Sequence, residues 1–400
     1  MPDSRVNSQF SKSDGPVAAL SAALRELGFN GGINLVRNRA ASQIHGFAVV
    51  PNLEQPSIIV PTGSRRASAA ALHRFSADSS GRQRLQRVAA AAAFRIWGAR
   101  APLVSHSLVP ENGMQQGIVE FLSTIFGEQV LVSMGIGTQR ANRKPILQIF
   151  SIQGRTLGFA KVGTNAFTAG LVEREGAALE TIGSKTWSSL VVPRVFYRGP
   201  WKDGNILIMS GLPTSPISAR RNLERLRHRA QQELQAAYAA APMKLAQSAW
   251  FSNLKLSVDE NSSQSDAFRR LVDIFETISS RFSQEIVDFG MTHGDWTPWN
   301  MSVNKGKLQV WDWERFSVDV PVGFDELHYS LHLNLQRVGL SSNAVIDGTN
   351  RNELIAPLVT FLYLGELAAR YLLGGQSLHV DSIEVKAVAL IEALEQLLEE

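Results

Sequence analysis

Apolar positions recur every second residue through short runs in the first half of the chain, and at helical spacing through most of the second. Strands are therefore expected first and helices afterwards. PVAALSAALRELGF, residues 16–29, has helical spacing and stops before a Gly-Gly pair. HGFAVVPNLEQPSIIVPTGS reads as two short strands around a turn, and the Ala- and Arg-rich stretch 65–98 as one or two helices. From Gln129 the texture changes. EQVLVSMGIG is a strand running into glycines. PILQIFSIQGRTLGFAKVG is a hairpin about Gln153-Gly154. LVEREGAALETIG is a helix ended by Gly183, and VVPRVFYRG and GNILIMSGLP are two further strands. That sum is five strands with one helix after the third. Beyond Pro216 three long helical stretches dominate, and one segment, 291–315, interrupts them.

This pattern divides the chain into a polar tail (1–15), a mixed α/β module of unassigned role (16–125), a five-stranded unit (126–212) and a helical unit (213–400). Composition changes little in that picture. Hydrophobic residues make up 44% and charged residues 19%, as in globular proteins. A net charge of +4 over 400 residues gives no strong demand for nucleic acid or a membrane surface. The chain has no cysteine, which excludes disulfides and thiolate metal sites and suits a cytoplasmic protein. Residues 1–15 lack the apolar core of a signal peptide. The most apolar window, VAAAAAFRIW, is too short to span a bilayer.

Chemistry concentrates in the interrupting segment, THGDWTPWNMSVNKGKLQVWDWE, Thr292 to Glu314. Met301–Val303 and Lys307–Val310 alternate as strands about a turn at Asn304-Lys305-Gly306. Pairing Val303 with Lys307 sets Asn300 opposite Val310 and brings Asn300 near Asp312 at the open end. An amide oxygen and a carboxylate together offer hard oxygen ligands, which suit Mg²⁺. Asp295 stands just before them, where a base must be to take a proton from an attacking hydroxyl. Turns favour Asp and Asn on their own account, but His293, Gly294, Asp295, Asn300 and Asp312 within one hairpin exceed what turn preference explains.

HGDWTPWNM followed by VWDWE resembles the catalytic loop and metal-binding aspartate of the aminoglycoside phosphotransferase and choline kinase group. The resemblance covers residues 126–400 in layout and implies an α+β, bilobal protein-kinase-like fold. Its small lobe is a five-stranded antiparallel sheet, its large lobe is mainly helical, and the α/β module precedes both. By that resemblance Asp295 is the catalytic base, Asn300 and Asp312 bind Mg²⁺, and His293 braces the loop. Glu314 and Arg315 have structural roles.

Such a phosphotransferase needs a strand lysine for the nucleotide phosphates and a helix acid to hold it. In Thr156–Lys161 side chains alternate, so Leu157, Phe159 and Lys161 share a face. Glu175 lies four residues from both Leu171 and Leu179 and so shares their face of the helix, whereas Glu173 and Glu180 lie together on another. Gly135 and Gly137, with the basic loop TQRANRK, are candidates for covering phosphate, through Arg140, Arg143 or Lys144. The strand ending at Met209, followed by Ser210 and Leu212, resembles the hinge that holds a nucleotide base, with Ile208 and Met209 in the base pocket.

The expected activity is transfer of the γ-phosphoryl group of ATP or another nucleoside triphosphate, with Mg²⁺, to a hydroxyl of a small molecule. Trp296 and Trp299 beside the base could stack on a sugar or a cation, or pack the loop. The five arginines of SARRNLERLRHRAQQ form a solvated face, a poor surface for a polycation. A sugar or amino alcohol is therefore preferred to an aminoglycoside as acceptor. The alternatives are a pseudokinase scaffold, which the intact Lys, Glu, Asp, Asn and Asp set opposes, and a kinase or adenylyltransferase acting on a protein.

Overall fold

The computed structural model describes residues 20, 24–25, 27–29, 33–37, 46–52, 56–72, 81–101, 104, 106–110, 117–136, 144–213, 222–350, 355–378 and 381–399. The expected polar tail, and Gly137, Arg140 and Arg143 of the basic loop, lie outside the described residues. The chain forms two compact units. One comprises the described residues up to Gly183 together with Pro193–Pro213, and the other Ser184–Val192 and Thr214 onward.

The first unit is built on one antiparallel sheet in the order β1-β4-β2-β3-β5-β6-β7-β10-β9. Its strands are β1 (Ile33–Arg37), β2 (Phe47–Val50), β3 (Ile58–Pro61), β4 (His106–Pro110), β5 (Val130–Gly135), β6 (Ile146–Ser151), β7 (Thr156–Gly163), β9 (Val195–Trp201) and β10 (Gly204–Met209). The five strands expected after residue 126 are β5, β6, β7, β9 and β10. The strands before residue 125 do not form a sheet of their own. β3 pairs with β5 (Ile58↔Gly135, Ile59↔Met134), so the expected α/β module and the five-stranded unit share one ladder. Alternation along β5 shows why both faces are filled. Val130, Val132 and Met134 enter a core with Leu122 and Ile149, while Leu131 turns to a second core with Ala67, Phe94 and Phe150. Those cores bring helices α1 (Arg65–Leu72), α2 (Gly81–Trp97) and α3 (Ile118–Phe126) onto the sheet. Helix α4 (Ala166–Gly183) follows β7 and packs on β7 and β10.

The second unit is mainly helical: α5 (Leu223–Ala237), α6 (Ala249–Asp259), α7 (Asp266–Phe282), α8 (Phe324–Val338), α9 (Ser342–Thr349), α10 (Pro357–Leu378) and α11 (Asp381–Glu399). Its core joins Phe268, Leu271 and Phe275 of α7 with Leu327 and Leu331 of α8, Leu362 and Leu367 of α10, and Leu390 and Leu394 of α11. No helix among the described residues is long and apolar enough to cross a membrane. Two small sheets carry the site. Apart from the pair β11 (Met243–Lys244) and β12 (Ile286–Val287), β13 (Phe289–Thr292) pairs with β16 (Ser317–Pro321), and β14 (Met301–Asn304) pairs with β15 (Lys307–Val310), which also takes the short parallel strand β8 (Leu190–Val191).

The hairpin register differs by one residue from the expectation. Asn304 pairs with Lys307, Val303 with Leu308 and Met301 with Val310. The turn is therefore the two residues Lys305 and Gly306, with φ of 48° and 74°. Two consecutive positive φ values define the primed turn whose twist matches paired strands, and this excludes the three-residue turn. Asn300 consequently faces Trp311, whose N–H donates to the Asn300 carbonyl at 3.1 Å.

Candidate active site

In the first unit, Lys161 on β7 and Glu175 on α4 meet as the alternation and helical spacing require. The Lys161 Nζ donates to both carboxylate oxygens of Glu175, at 2.7 and 2.6 Å. The side chains are 9% and 1% exposed, respectively. Desolvating two charges costs several kcal/mol, and close bidentate geometry is what offsets it. Glu173 and Glu180 do share another face, where Arg198 of β9 bridges them. Gly176, beside Glu175, has no room for a side chain, because a Cβ there would lie 2.3 Å from the Arg198 side chain. Gly135 ends β5. Met209 and Ile208 are buried on β10, and Leu212 is half-buried beyond it. The Ser210 N–H donates to the Arg194 carbonyl at 2.8 Å, and its hydroxyl accepts from the Arg194 N–H at 2.9 Å. That backbone donor is committed to Arg194, just before β9.

In the second unit a short chain of contacts fixes the loop between β13 and β14. His293 is fully buried. Its Nε2 lies 3.2 Å from the Trp311 carbonyl, while its Nδ1 accepts from the Asp295 N–H at 3.2 Å. A carbonyl only accepts, so Nε2 carries the proton and Nδ1 is the acceptor. His293 thus ties the loop at Asp295 to the segment just after β15, with the Trp313 ring 4.5 Å away. Asp325, in the first turn of α8, gathers the backbone on the other side. Its carboxylate accepts from Thr292 Oγ1 (2.7 Å), the His293 N–H (2.7 Å) and the Gly294 N–H (3.0 Å). Burial pushes the Asp325 carboxyl above its ordinary range, and those donors pull the other way. The Gly294 carbonyl accepts from Arg370 Nη1 at 2.7 Å, and Glu366 clamps Arg370 bidentately.

Gly294 is positioned by a requirement that no other residue meets. Its φ is +76°, and a Cβ would stand 2.6 Å from the Arg315 carbonyl oxygen. Gly294→Ala is expected to lower the melting temperature by several degrees, from left-handed strain and a backbone clash together. Thermal unfolding beside Gly339→Ala, which carries the strain of a positive φ but has open space around it, separates the clash from the strain.

Asp295 sits where these ties converge, with its side chain 31% exposed. Asn300 Nδ2 donates to Asp295 Oδ2 at 2.8 Å and to the Asp295 carbonyl at 3.0 Å. His328 Nε2 lies 3.2 Å from Asp295 Oδ1. Burial alone would raise the Asp295 carboxyl, but the His328 hydrogen bond and the neighbouring histidines outweigh it and hold the group well below the ordinary carboxylate range. Asp312 follows β15 in the left-handed region, φ +71°. That conformation costs a non-glycine residue about 1–2 kcal/mol, and strain of this kind collects at functional sites.

The structure also separates residues that looked alike in the sequence. Trp296 is fully buried and packs the loop, so it is no stacking platform, whereas Trp299 is half-buried against the His332 ring at 5.8 Å. Of the five arginines expected on a solvated face, Arg220 and Arg221 lie outside the described residues. Arg227 has a side chain 3% exposed and is held by Glu224 and Glu326. Sequence reasoning had no signal for Arg370, Tyr363 or His328 as neighbours of the loop. His328 stood three residues after Asp325, which spacing alone places on one helix face.

No Mg²⁺-binding donor set can be judged without its chemistry. Asn300 directs its amide N–H to Asp295, leaving the amide oxygen as the ligating atom, and Asp312 supplies a carboxylate. These are hard oxygen donors and fit a hard cation.

No family model matches the chain, and no curated protein matches it. Solved structures do resemble it. A fructosamine-3-kinase candidate from Haemophilus somnus 129PT is 13% identical, with 69% of this chain and 96% of that chain covered at a TM-score of 0.46. The GDP and kanamycin complex of the aminoglycoside phosphotransferase APH(2")-IIIa is 12% identical, with 69% and 97% covered and a TM-score of 0.46. A ternary complex of a thermostable APH(4)-Ia mutant with ADP and hygromycin B is 14% identical, with 70% and 98% covered and a TM-score of 0.47.

Proposed function

We propose that the protein is a phosphotransferase that moves the γ-phosphoryl group of a nucleoside triphosphate to a hydroxyl of a small molecule. The observation that carries this reading is the bond between Asn300 Nδ2 and Asp295 Oδ2. It couples a carboxylate kept ionised to a residue whose remaining amide oxygen suits Mg²⁺, at the mouth of a hairpin that ends in Asp312.

Each group then has a distinct task. Lys161, held by Glu175, orients the nucleotide phosphates. Asn300 and Asp312 hold the cation, which neutralises charge on the phosphate oxygens when bound. Asp295 accepts a hydrogen bond from the acceptor hydroxyl, sets its oxygen toward phosphorus and takes its proton. The O–H bond breaks as the new P–O bond forms, and the nucleoside diphosphate leaves with the former bridging oxygen. A carboxylate this acidic is a weak base, so it contributes chiefly by orienting the hydroxyl, which suits a loose transition state that needs little proton transfer early. His293 and Asp325 touch no substrate and keep the loop in shape.

The acceptor is proposed to be a sugar, amino alcohol or related metabolite. The test is a panel of such alcohols, with aminoglycosides and a generic protein substrate included, incubated with γ-labelled ATP or GTP and Mg²⁺. Label in a small hydroxyl compound, absent with Asp295→Asn, supports the reading. Label on protein would replace it, and label retained with Asp295→Asn would remove Asp295 from its role.

A further inference from the structure

Asp295 Oδ1 is not left to solvent but touches an imidazole that approaches from α8. The proton positions in this contact follow from elimination. An ionised carboxylate can only accept, so the His328 Nε2 must carry hydrogen. His328 is 4% exposed, and burial holds its pKa down to about 3, so the ring is neutral. A neutral ring protonated at Nε2 has a bare Nδ1. Opposite that atom, at 3.0 Å, stands the hydroxyl of Tyr363 from α10. Tyr363 is 1% exposed, and its hydroxyl must therefore be the donor. His332, one turn along α8, closes the arrangement. Its Nδ1 lies 3.0 Å from the His328 carbonyl, and the two rings stand 4.1 Å apart.

We propose that His328 is a positioning residue for phosphoryl transfer: Tyr363 fixes its tautomer, and its Nε2–H holds Oδ1 of Asp295 while Asn300 holds Oδ2. The inference rests on the assignment of Asp295 as the base. Two donors from different elements, one on each oxygen, fix the carboxylate plane as well as its place. A single tie would leave the plane free to rotate about χ2. Placement of a reacting group to within about 1 Å is worth on the order of 10²-fold in rate. Buried polar pairs with no such duty are expensive to keep, since a buried hydroxyl and imidazole cost more than an apolar pair unless both are satisfied.

The charged and titratable groups around the pair come from every packed element: Asp325 and His332 on α8, Arg370 and Tyr371 on α10, Lys386 on α11, His293 on the loop, and Arg315 beyond β15. None of them replaces the His328 donor at Oδ1.

The experiment compares His328→Leu, His328→Gln and Tyr363→Phe with the wild-type protein, using turnover of Mg·ATP with and without the best acceptor. His328→Leu is expected to lower kcat about 100-fold with the KM for ATP unchanged. His328→Gln, which keeps an N–H donor, should recover kcat to within about tenfold of wild type. Tyr363→Phe should fall between them. An unchanged kcat in a folded His328→Leu protein overturns the proposal, as does equal loss in the Leu and Gln variants. A second measurement needs no activity. Histidine ¹⁵N spectra of the wild-type chain, assigned by His328→Gln, should show His328 neutral and protonated at Nε2 from pH 5 to 8, and Asp295→Asn should shift that resonance. A ring that is cationic or protonated at Nδ1 overturns the proposal. A wild-type protein without turnover but with this spectrum keeps the hydrogen bond and removes the phosphotransfer assignment instead.

Discussion

Asp295→Asn should abolish phosphoryl transfer while leaving nucleotide binding intact. The expected loss in kcat is about 10²-fold or more, the scale on which misplacing a reacting group costs rate. Asparagine is nearly isosteric, so Trp296 and the loop can stay where they are. It fails for two reasons. It cannot take a proton, and one of its two polar atoms becomes a donor. If the amide nitrogen faces His328, donor meets donor at 3.2 Å. If it faces Asn300, the same conflict arises at 2.8 Å. A small loss of stability therefore accompanies the large loss of rate. Nucleotide binding by calorimetry, with Mg²⁺, should change by less than tenfold, because the residues assigned to phosphate and cation are others. Transfer within tenfold of wild type would exclude Asp295 as base. Asp312→Asn makes the informative contrast: its loss should fall on the Mg²⁺ dependence, with activity partly recovered at high Mg²⁺.

How much of this was legible in the sequence depends on how far each partner lies along the chain. Lys161 and Glu175 are on consecutive elements, and alternation on β7 with helical spacing on α4 was sufficient to pair them. Asn300 lies five residues from Asp295, inside one hairpin, and the two meet. Even there the turn was misjudged by one residue. Asn, Lys and Gly all tolerate a turn, and only two consecutive positive φ values decide between a two- and a three-residue loop. The ties that hold Asp295 from outside the hairpin were illegible. His328 is 33 residues away, and Tyr363 a further 35. Helical spacing identifies the buried face of α8 but not which loop it will touch. Trp296 and Trp299, three apart in sequence, could not be told from one another because burial is a property of what packs against them. The strands before residue 125 read as a separate module because strand pairing is decided at edges. Nothing in Ile58-Ile59 says that its free edge will be covered by β5 rather than left exposed.

Lys161→Met is the second large effect, and it should be felt first as a loss of stability. Glu175 has a side chain 1% exposed, and the substitution removes the ammonium from which both its carboxylate oxygens accept. Removing one partner of a buried pair costs about 3–5 kcal/mol, because the orphaned charge must be desolvated uncompensated or protonated. For a unit of this size the melting transition should fall by roughly ten degrees or more. Adding Glu175→Leu to Lys161→Met should restore most of the stability, since replacing both members of a buried pair by apolar groups of similar size is near neutral. Activity should not return with it. If Lys161 serves the nucleotide phosphates, the double variant folds like wild type yet binds Mg·ATP weakly and turns it over slowly, and this split between stability and affinity is the decisive result. A stable double variant with wild-type ATP affinity and turnover would show the pair to be packing alone. Equal stability of the single and double variants would show that Glu175 finds another partner once the lysine is gone. Thermal unfolding of wild type, Lys161→Met, Glu175→Leu and the double variant, read beside ATP titrations of the same samples, closes the cycle, and the coupling it yields belongs to the pair rather than to either residue.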